Sequence, residues 1–169
     1  RAFTSCGLIS VVIPDSVTTI DTLAFSNCNN LTNVTIGSGV TSVDESAFAG
    51  CDNVTTASIP TFAIQFIPKT SLETVTITSG DSIGNSAFSG CKSLTSVVIP
   101  NSVTTIGHSA FFNCTSLTSI VIPDSVTSIG QAVFNGCYSL QSMTLPLVFS
   151  LGYIFGISEY NGSVEIKKY

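Results

Sequence analysis

Residues Ala87 to Gly130 read AFSGCKSLTSVVIPNSVTTIGHS and then AFFNCTSLTSIVIPDSVTSIG, nearly the same 23 residues twice in succession. So strict a repeat describes one structural unit stacked on copies of itself, because a single unit cannot cover its own apolar side. The rest of the chain falls into the same register. Landmark phenylalanines stand at Phe3, Phe25, Phe48, Phe88, Phe111 and Phe134, at intervals of 22, 23, 40, 23 and 23. The cysteines keep step at Cys6, Cys28, Cys51, Cys91, Cys114 and Cys137. The interval of 40 holds one extra, shortened repeat, visible in the run Leu8, Leu31, Val54, Leu72, Leu94, Leu117, Leu140. Seven coils result.

Within a coil, LTSVVIP (Leu94 to Pro100) alternates at period two, which predicts a short strand. Pro100 ends it, having no N–H to give a ladder. SVTTIG (Ser102 to Gly107) supplies Val103 and Ile106 as a second short extended piece. Ala110-Phe111 then begins a tight 3-10 or single-turn helical segment that delivers Cys114 inward. Strands stacked parallel at about 4.8 Å give seven coils a sheet about 30 Å long. The predicted architecture is a β-rich, right-handed solenoid built on one parallel β-sheet. Residues 1–146 form about seven coils, with an irregular short repeat at about 54–72 where TFAIQFIPKT (Thr61 to Thr70) drops both later motifs. Residues 147–169 read as a divergent, incomplete terminal repeat. Val133, in place of the usual Ala, predicts a loosened coil.

The 169 residues are 44% hydrophobic and only 9% charged, against about 25% charged in an average domain. Serine and threonine fill the deficit. The net charge is −5 and the only basic pair is Lys167-Lys168, so no nucleic-acid partner is expected. The longest apolar run, Leu145 to Ile157, is 13 residues and is broken by Pro146, Ser150 and Gly152. A spanning helix needs about 20, so no membrane insertion is expected in this segment. The chain opens inside a repeat, without Met or signal peptide, and is expected to be a mature product or a piece of something longer.

L-x-x-V-x-I-P, then S-V-T-x-I-G, then A-F-x-x-C, at a 23-residue period over residues 1–146, resembles the BspA-like class of leucine-rich repeat proteins. The resemblance implies a leucine-rich repeat solenoid. It also implies a cell-surface or secreted protein with an adhesive role toward a host matrix or a neighbouring cell, binding protein or glycan there.

The cysteines are too far apart in sequence for a zinc site, which wants pairs a few residues apart. Stacked thiols with parallel Cβ vectors do not suit disulfides. A buried structural column of free thiols is expected. His108, the only histidine, falls in a solvent-facing loop slot without a nucleophile partner. There is no G-x-S-x-G elbow, no phosphate loop and no calcium loop around Asp44-Glu45. No enzyme, cofactor or metal site is expected.

The outward strand positions form the candidate binding face. After Ile9, Ser10 and Val12 in the first coil come Thr32, Asn33 and Thr35, then Thr55, Thr56 and Ser58. The next coils give Glu73, Thr74 and Thr76, and then Thr95, Ser96 and Val98. The last two give Thr118, Ser119 and Val121, followed by Gln141, Ser142 and Thr144. Hydroxyls and methyls without strong fields suit an extended polypeptide or a glycan, although β-branched residues also favour strands for their own sake. Sequons stand at Asn30, Asn33, Asn53, Asn113 and Asn161, of which Asn53 and Asn161 are the better acceptors if the source is eukaryotic. Two other functions fit the same residues: a structural spacer that self-associates end to end into filaments, and, more remotely, ice binding by threonine arrays.

Overall fold

The computed structural model describes residues 2–146, 149, 151–156 and 165–168. Each coil lays down one longer strand on the one before it. These strands are β1 (Ser10–Ile13), β3 (Asn33–Ile36), β5 (Thr56–Ile59), β6 (Thr74–Ile77) and β8 (Ser96–Val98). They continue as β10 (Ser119–Val121), β12 (Ser142–Leu145) and β13 (Glu165–Lys168). Every pairing is parallel, as it must be when each coil re-enters the sheet from the same side. The repeat sets the register. Val11, Val34, Ala57, Val75 and Val97 align, and the alternation sends them inward. A slip of one residue would turn this whole set outward, so the register is strongly fixed.

The S-V-T-x-I-G segments form a second, narrower ladder. Its two-residue strands are β2 (Thr19–Ile20), β4 (Ser42–Val43), β7 (Ser82–Ile83), β9 (Thr105–Ile106) and β11 (Ser128–Ile129). The third wall is the A-F-x-x-C turn. Its residue before cysteine lies in the left-handed region, with φ of 55° to 58° at Ser5, Asn27 and Asn113 and 75° to 79° at Gly50, Gly90 and Gly136. Asn and Gly recur at that position because they enter this region most easily.

Between the walls run the aligned side chains. Phe3, Phe25 and Phe48 stack with ring centroids 5.4 and 5.2 Å apart, and Phe88, Phe111 and Phe134 with 5.1 and 5.5 Å. At Val133 the coils lie slightly further apart, the Phe111 and Phe134 rings being 5.5 Å apart against 5.1 Å for Phe88 and Phe111. Val133 is fully buried, and its carbonyl accepts the Phe111 N–H at 3.0 Å where Ala110 accepts that of Phe88 at 2.7 Å.

The cysteine thiols lie beside the rings, and each of four donates to the carbonyl of the phenylalanine one coil earlier. Cys28 reaches Phe3, Cys51 reaches Phe25, Cys114 reaches Phe88 and Cys137 reaches Phe111, at 3.0 to 3.1 Å. Five of the thiols are buried and Cys6, on the face of the first coil, is half-buried. Burial pushes the Cys51 thiol up, and pushes Cys91 up to about 11 from 9.0. In the dilute native protein at pH 8, a thiol reagent is therefore expected to titrate Cys6 at once and the other five only on unfolding. An unfolded chain gives up the Cys91 proton near pH 9, whereas the folded chain keeps it until about pH 11. Stability therefore falls as pH rises through that window, and a lower urea midpoint at pH 10 than at pH 8 is the expected result.

Two coils break the regularity, in different walls. In the short repeat, a 3-10 helix (Thr61–Phe66) replaces both the narrow strand and the phenylalanine turn, burying Ala63 and Ile64. The narrow ladder therefore divides into β2-β4 and β7-β9-β11, and the ring stack into two trios. The wide sheet passes straight across, through β5 and β6. It divides instead between β8 and β10, where the narrow ladder (β9 with β11) and the stack of Phe111 on Phe134 are unbroken.

After Pro146 the repeat motifs fade, yet the described residues beyond it still pack on the coil before. Helix α1 (Leu151–Phe155) offers the Tyr153 and Ile154 carbonyls to the N–H groups of Ala132 and Phe134, both at 2.9 Å. Phe155 meets Phe134 at 6.2 Å, tilted by 49°. β13 then pairs with β12, supplying a strand that the sequence after Pro146 does not announce. Among the described residues no helix is long and apolar enough to cross a membrane.

Candidate binding face of the wide sheet

The alternation that buries Val34, Val75 and Val97 turns their neighbours outward, and all the outward positions named above lie exposed or half-buried. They form three rows across the strands. Residues just before each strand make the first row, tied coil to coil: Thr32 N–H to Ile9 O, Thr55 to Thr32, Glu73 to Thr55 and Thr95 to Glu73, at 2.8 to 2.9 Å. The middle row aligns Asn33, Thr56, Thr74 and Ser96, and the outer row Thr35, Ser58, Thr76 and Val98. Beyond the break come Thr118, Ser119 and Val121, in register with Gln141, Ser142 and Thr144.

Several hydroxyls on this face already spend their proton. Thr32 Oγ1 donates to Ile9 O and Thr95 Oγ1 to Glu73 O, both at 3.1 Å, and Thr74 Oγ1 donates to Thr56 Oγ1 at 3.1 Å. Such a threonine shows its oxygen lone pairs and its methyl to solvent. The face is thus weighted toward acceptors and methyls, with Glu73 the one charged residue in its rows from the first coil to β12. Val98 and Val121 flank the break in the sheet, 55% and 61% exposed. No aromatic ring projects from these rows.

The polar turns outside the face serve the stack. His108 is exposed, and more is asked of it than its loop position suggested. Its N–H donates to Asn85 Oδ1 at 2.9 Å, and its Nδ1 accepts the Gln131 N–H at 3.0 Å, so the imidazole works as a strut between coils. That bond requires Nδ1 to be unprotonated. The signal was present in the column, since Asn85 one coil earlier is also a side-chain acceptor. Asp44 takes the Ser46 hydroxyl and N–H and the Thr22 hydroxyl, which together hold its carboxyl below the usual range. Among the described residues no three His, Cys, Asp or Glu side chains come together as a metal site. Asn53 is exposed, with its amide donating to Asn29 O at 2.7 Å. Asn161 lies outside the described residues.

A family model, the BspA type leucine-rich repeat region, matches in 6 copies over residues 1–76 and 65–155. The chain belongs to the BspA-type leucine-rich repeat family. Among solved structures, this BspA-type chain is similar to a leucine-rich cell surface protein of Faecalibacterium prausnitzii A2-165. The two are 38% identical, with a TM-score of 0.55, over 80% of this chain and 38% of that one. It is also similar to the leucine-rich repeat protein of T. pallidum, at 27% identity and a TM-score of 0.51, over 94% of this chain and 68% of that one. The pneumococcal vaccine antigen PcpA, at 20% identity and a TM-score of 0.50, shares the fold; the match covers 100% of this chain and 59% of that one. The BspA-type chain thus spans 38% of the length of its Faecalibacterium relative. Among curated proteins no relative matches.

Proposed function

We propose that this chain is a binding module, not an enzyme, of a cell-surface or secreted protein. Its wide sheet holds a protein or glycan of a host matrix or a neighbouring cell. The observation that carries this reading is the three-row outer face, exposed, almost uncharged and locked coil to coil by backbone hydrogen bonds. A surface so fixed loses little conformational freedom when a partner settles on it. Lone pairs and methyls on a regular lattice suit a partner that brings its own donors, such as sugar hydroxyls or peptide N–H groups. The relative in F. prausnitzii, described as a cell surface protein, supports the location.

The test is a panel of immobilised matrix proteins and mucin-type glycans, probed with the native chain and with Thr56→Lys, Thr95→Lys and Thr118→Lys. The native chain is expected to bind at least one member, and each lysine to weaken that binding by about tenfold or more, as burying an unpaired charge would. Binding indifferent to all three lysines overturns the reading, as does a panel with no bound member.

A further inference from the structure

We propose that the gap left in the narrow ladder by the short repeat is a docking site for a partner protein, which lays one extended segment along β7 as a further parallel strand. The gap lies in mid-stack, on a different wall from the wide sheet, and does not depend on what that sheet holds. β4 and β7 stand two coils apart with no strand between them. The 3-10 helix fills that level only in part. A Cβ built on Gly107 meets the Asn85 nitrogen at 2.6 Å and the Gly84 carbonyl carbon at 2.8 Å, and one on Gly130 meets the His108 backbone. One on Gly84, at the same position of its own coil, meets nothing within 4 Å. Gly84 is accordingly exposed where Gly130 is buried.

The same edge holds backbone donors that find no acceptor. Gly107 and Gly130 donate their N–H groups to Ile83 O and Ile106 O of the preceding coil, at 2.8 and 2.7 Å. Thr104 and Thr127 donate theirs to Asp81 O and Thr104 O, and His108 and Gln131 theirs to Asn85 Oδ1 and His108 Nδ1. The counterparts Asp81, Gly84 and Asn85 are all exposed, and their N–H groups have no acceptor among the described residues. Beside them a cavity of about 220 Å³ opens between β7 and the 3-10 helix, lined by Phe62, Ile64, Gln65, Ser82, Gly84 and Ala87 among others. An open strand edge next to an apolar hollow is a template for another strand.

The missing element defines the occupant. In regular coils the level before a narrow strand presents carbonyls two residues apart on an extended backbone, as Asp81 and Ile83 do to the coil after them. A peptide running parallel to β7 supplies the same pair. At about 220 Å³ the cavity is smaller than the roughly 300–1,000 Å³ of small-molecule pockets, and suits an apolar side chain of such a segment. Charge narrows the choice further. Asp44 and Glu45 directly follow β4, and Asp81 directly precedes β7, so carboxylates flank the gap. An uncharged or basic segment is favoured over an acidic one. The same carboxylates disfavour a free anion on those N–H groups.

Amide NMR spectra of the 169-residue chain, titrated with the end-blocked peptide NSVTTIG, test this. That peptide has the sequence of 101–107, the segment that already pairs with the other edge of β7. The signals of Asp81, Gly84 and Asn85 are expected to move in a saturable way, and hydrogen exchange at Gly84 to slow by about tenfold at saturation. Gly84→Ala adds a Cβ that meets nothing in the free chain but stands in the path of the incoming strand. It is expected to leave the thermal melt no lower and to weaken the peptide by about tenfold or more. A peptide that moves none of the three signals overturns the proposal, as does one that binds Gly84→Ala equally well. Inorganic phosphate that moves them where the peptide does not would make the edge an anion site. Shifts that grow with protein concentration alone would seat a second copy there, and either result overturns the proposal. Thr56→Lys, Thr95→Lys and Thr118→Lys lie on the wide sheet and are expected to leave the peptide bound, so the two readings fail separately.

Discussion

Phe111→Ala is expected to lower unfolding stability by about 3–5 kcal/mol, read as a shift of the urea midpoint. The ring is fully buried and has stacked partners on both sides, Phe88 at 5.1 Å and Phe134 at 5.5 Å. Truncation removes the transfer energy of a benzyl group and leaves a cavity. It also ends two aromatic pairs worth roughly 0.5–1.5 kcal/mol each. The hollow cannot collapse easily, because coil spacing on either side is set by ladders of backbone hydrogen bonds. Against a total of about 5–15 kcal/mol, a loss of that size unfolds a sizeable fraction of molecules. In a stack where each coil contacts only its neighbours, it is also expected to broaden the transition. A sharp transition displaced by less than about 1 kcal/mol would mean that the rings are not the spine.

Gly39→Ala is the second large effect, with an expected cost of about 2–3 kcal/mol. A Cβ at residue 39 would fall 1.7 Å from the Asp15 carbonyl oxygen and 2.8 Å from its carbon, both backbone atoms of the coil before. One coil must then rise off the other. That movement pulls Ser38 away from Asp15 Oδ1, which accepts its N–H at 2.6 Å and its hydroxyl at 3.0 Å. The result is counterintuitive from the repeat, because Ser16, Ser102 and Ser125 occupy the same slot in other coils. A thermal melt of the variant beside the native chain checks it, with a several-degree fall expected.

Most of the fold could be read from the chain because the evidence for it is repeated. A single Leu-x-x-Val is ambiguous, but the same residues recurring every 23 positions leave one way to bury them all. Leu94, Val97, Phe111 and Cys114 accordingly lie inside. What the repeat does not carry is anything set by the geometry between coils. The wide sheet parts between β8 and β10, in the very coils whose sequences are most alike, so no residue difference marks the place. The hydroxyls of Thr32 and Thr95 turn to carbonyls of the preceding coil, and His108 Nδ1 accepts from the next, choices that depend on where the neighbouring backbone lies. β13 was hidden for a simpler reason: after Pro146 the motifs are gone and the strand is held by its pairing with β12. As for the candidate face, its residues were legible from the alternation, whereas its bias toward acceptors needed the hydrogen bonds.

No level interrupts all three walls at once, so the column resembles masonry laid with offset joints. A mason offsets them so that no crack runs through the whole course. Here, the same offset means that one unit can be shorter than the rest, as the stretch from Val54 to Leu72 is, and the column still stands.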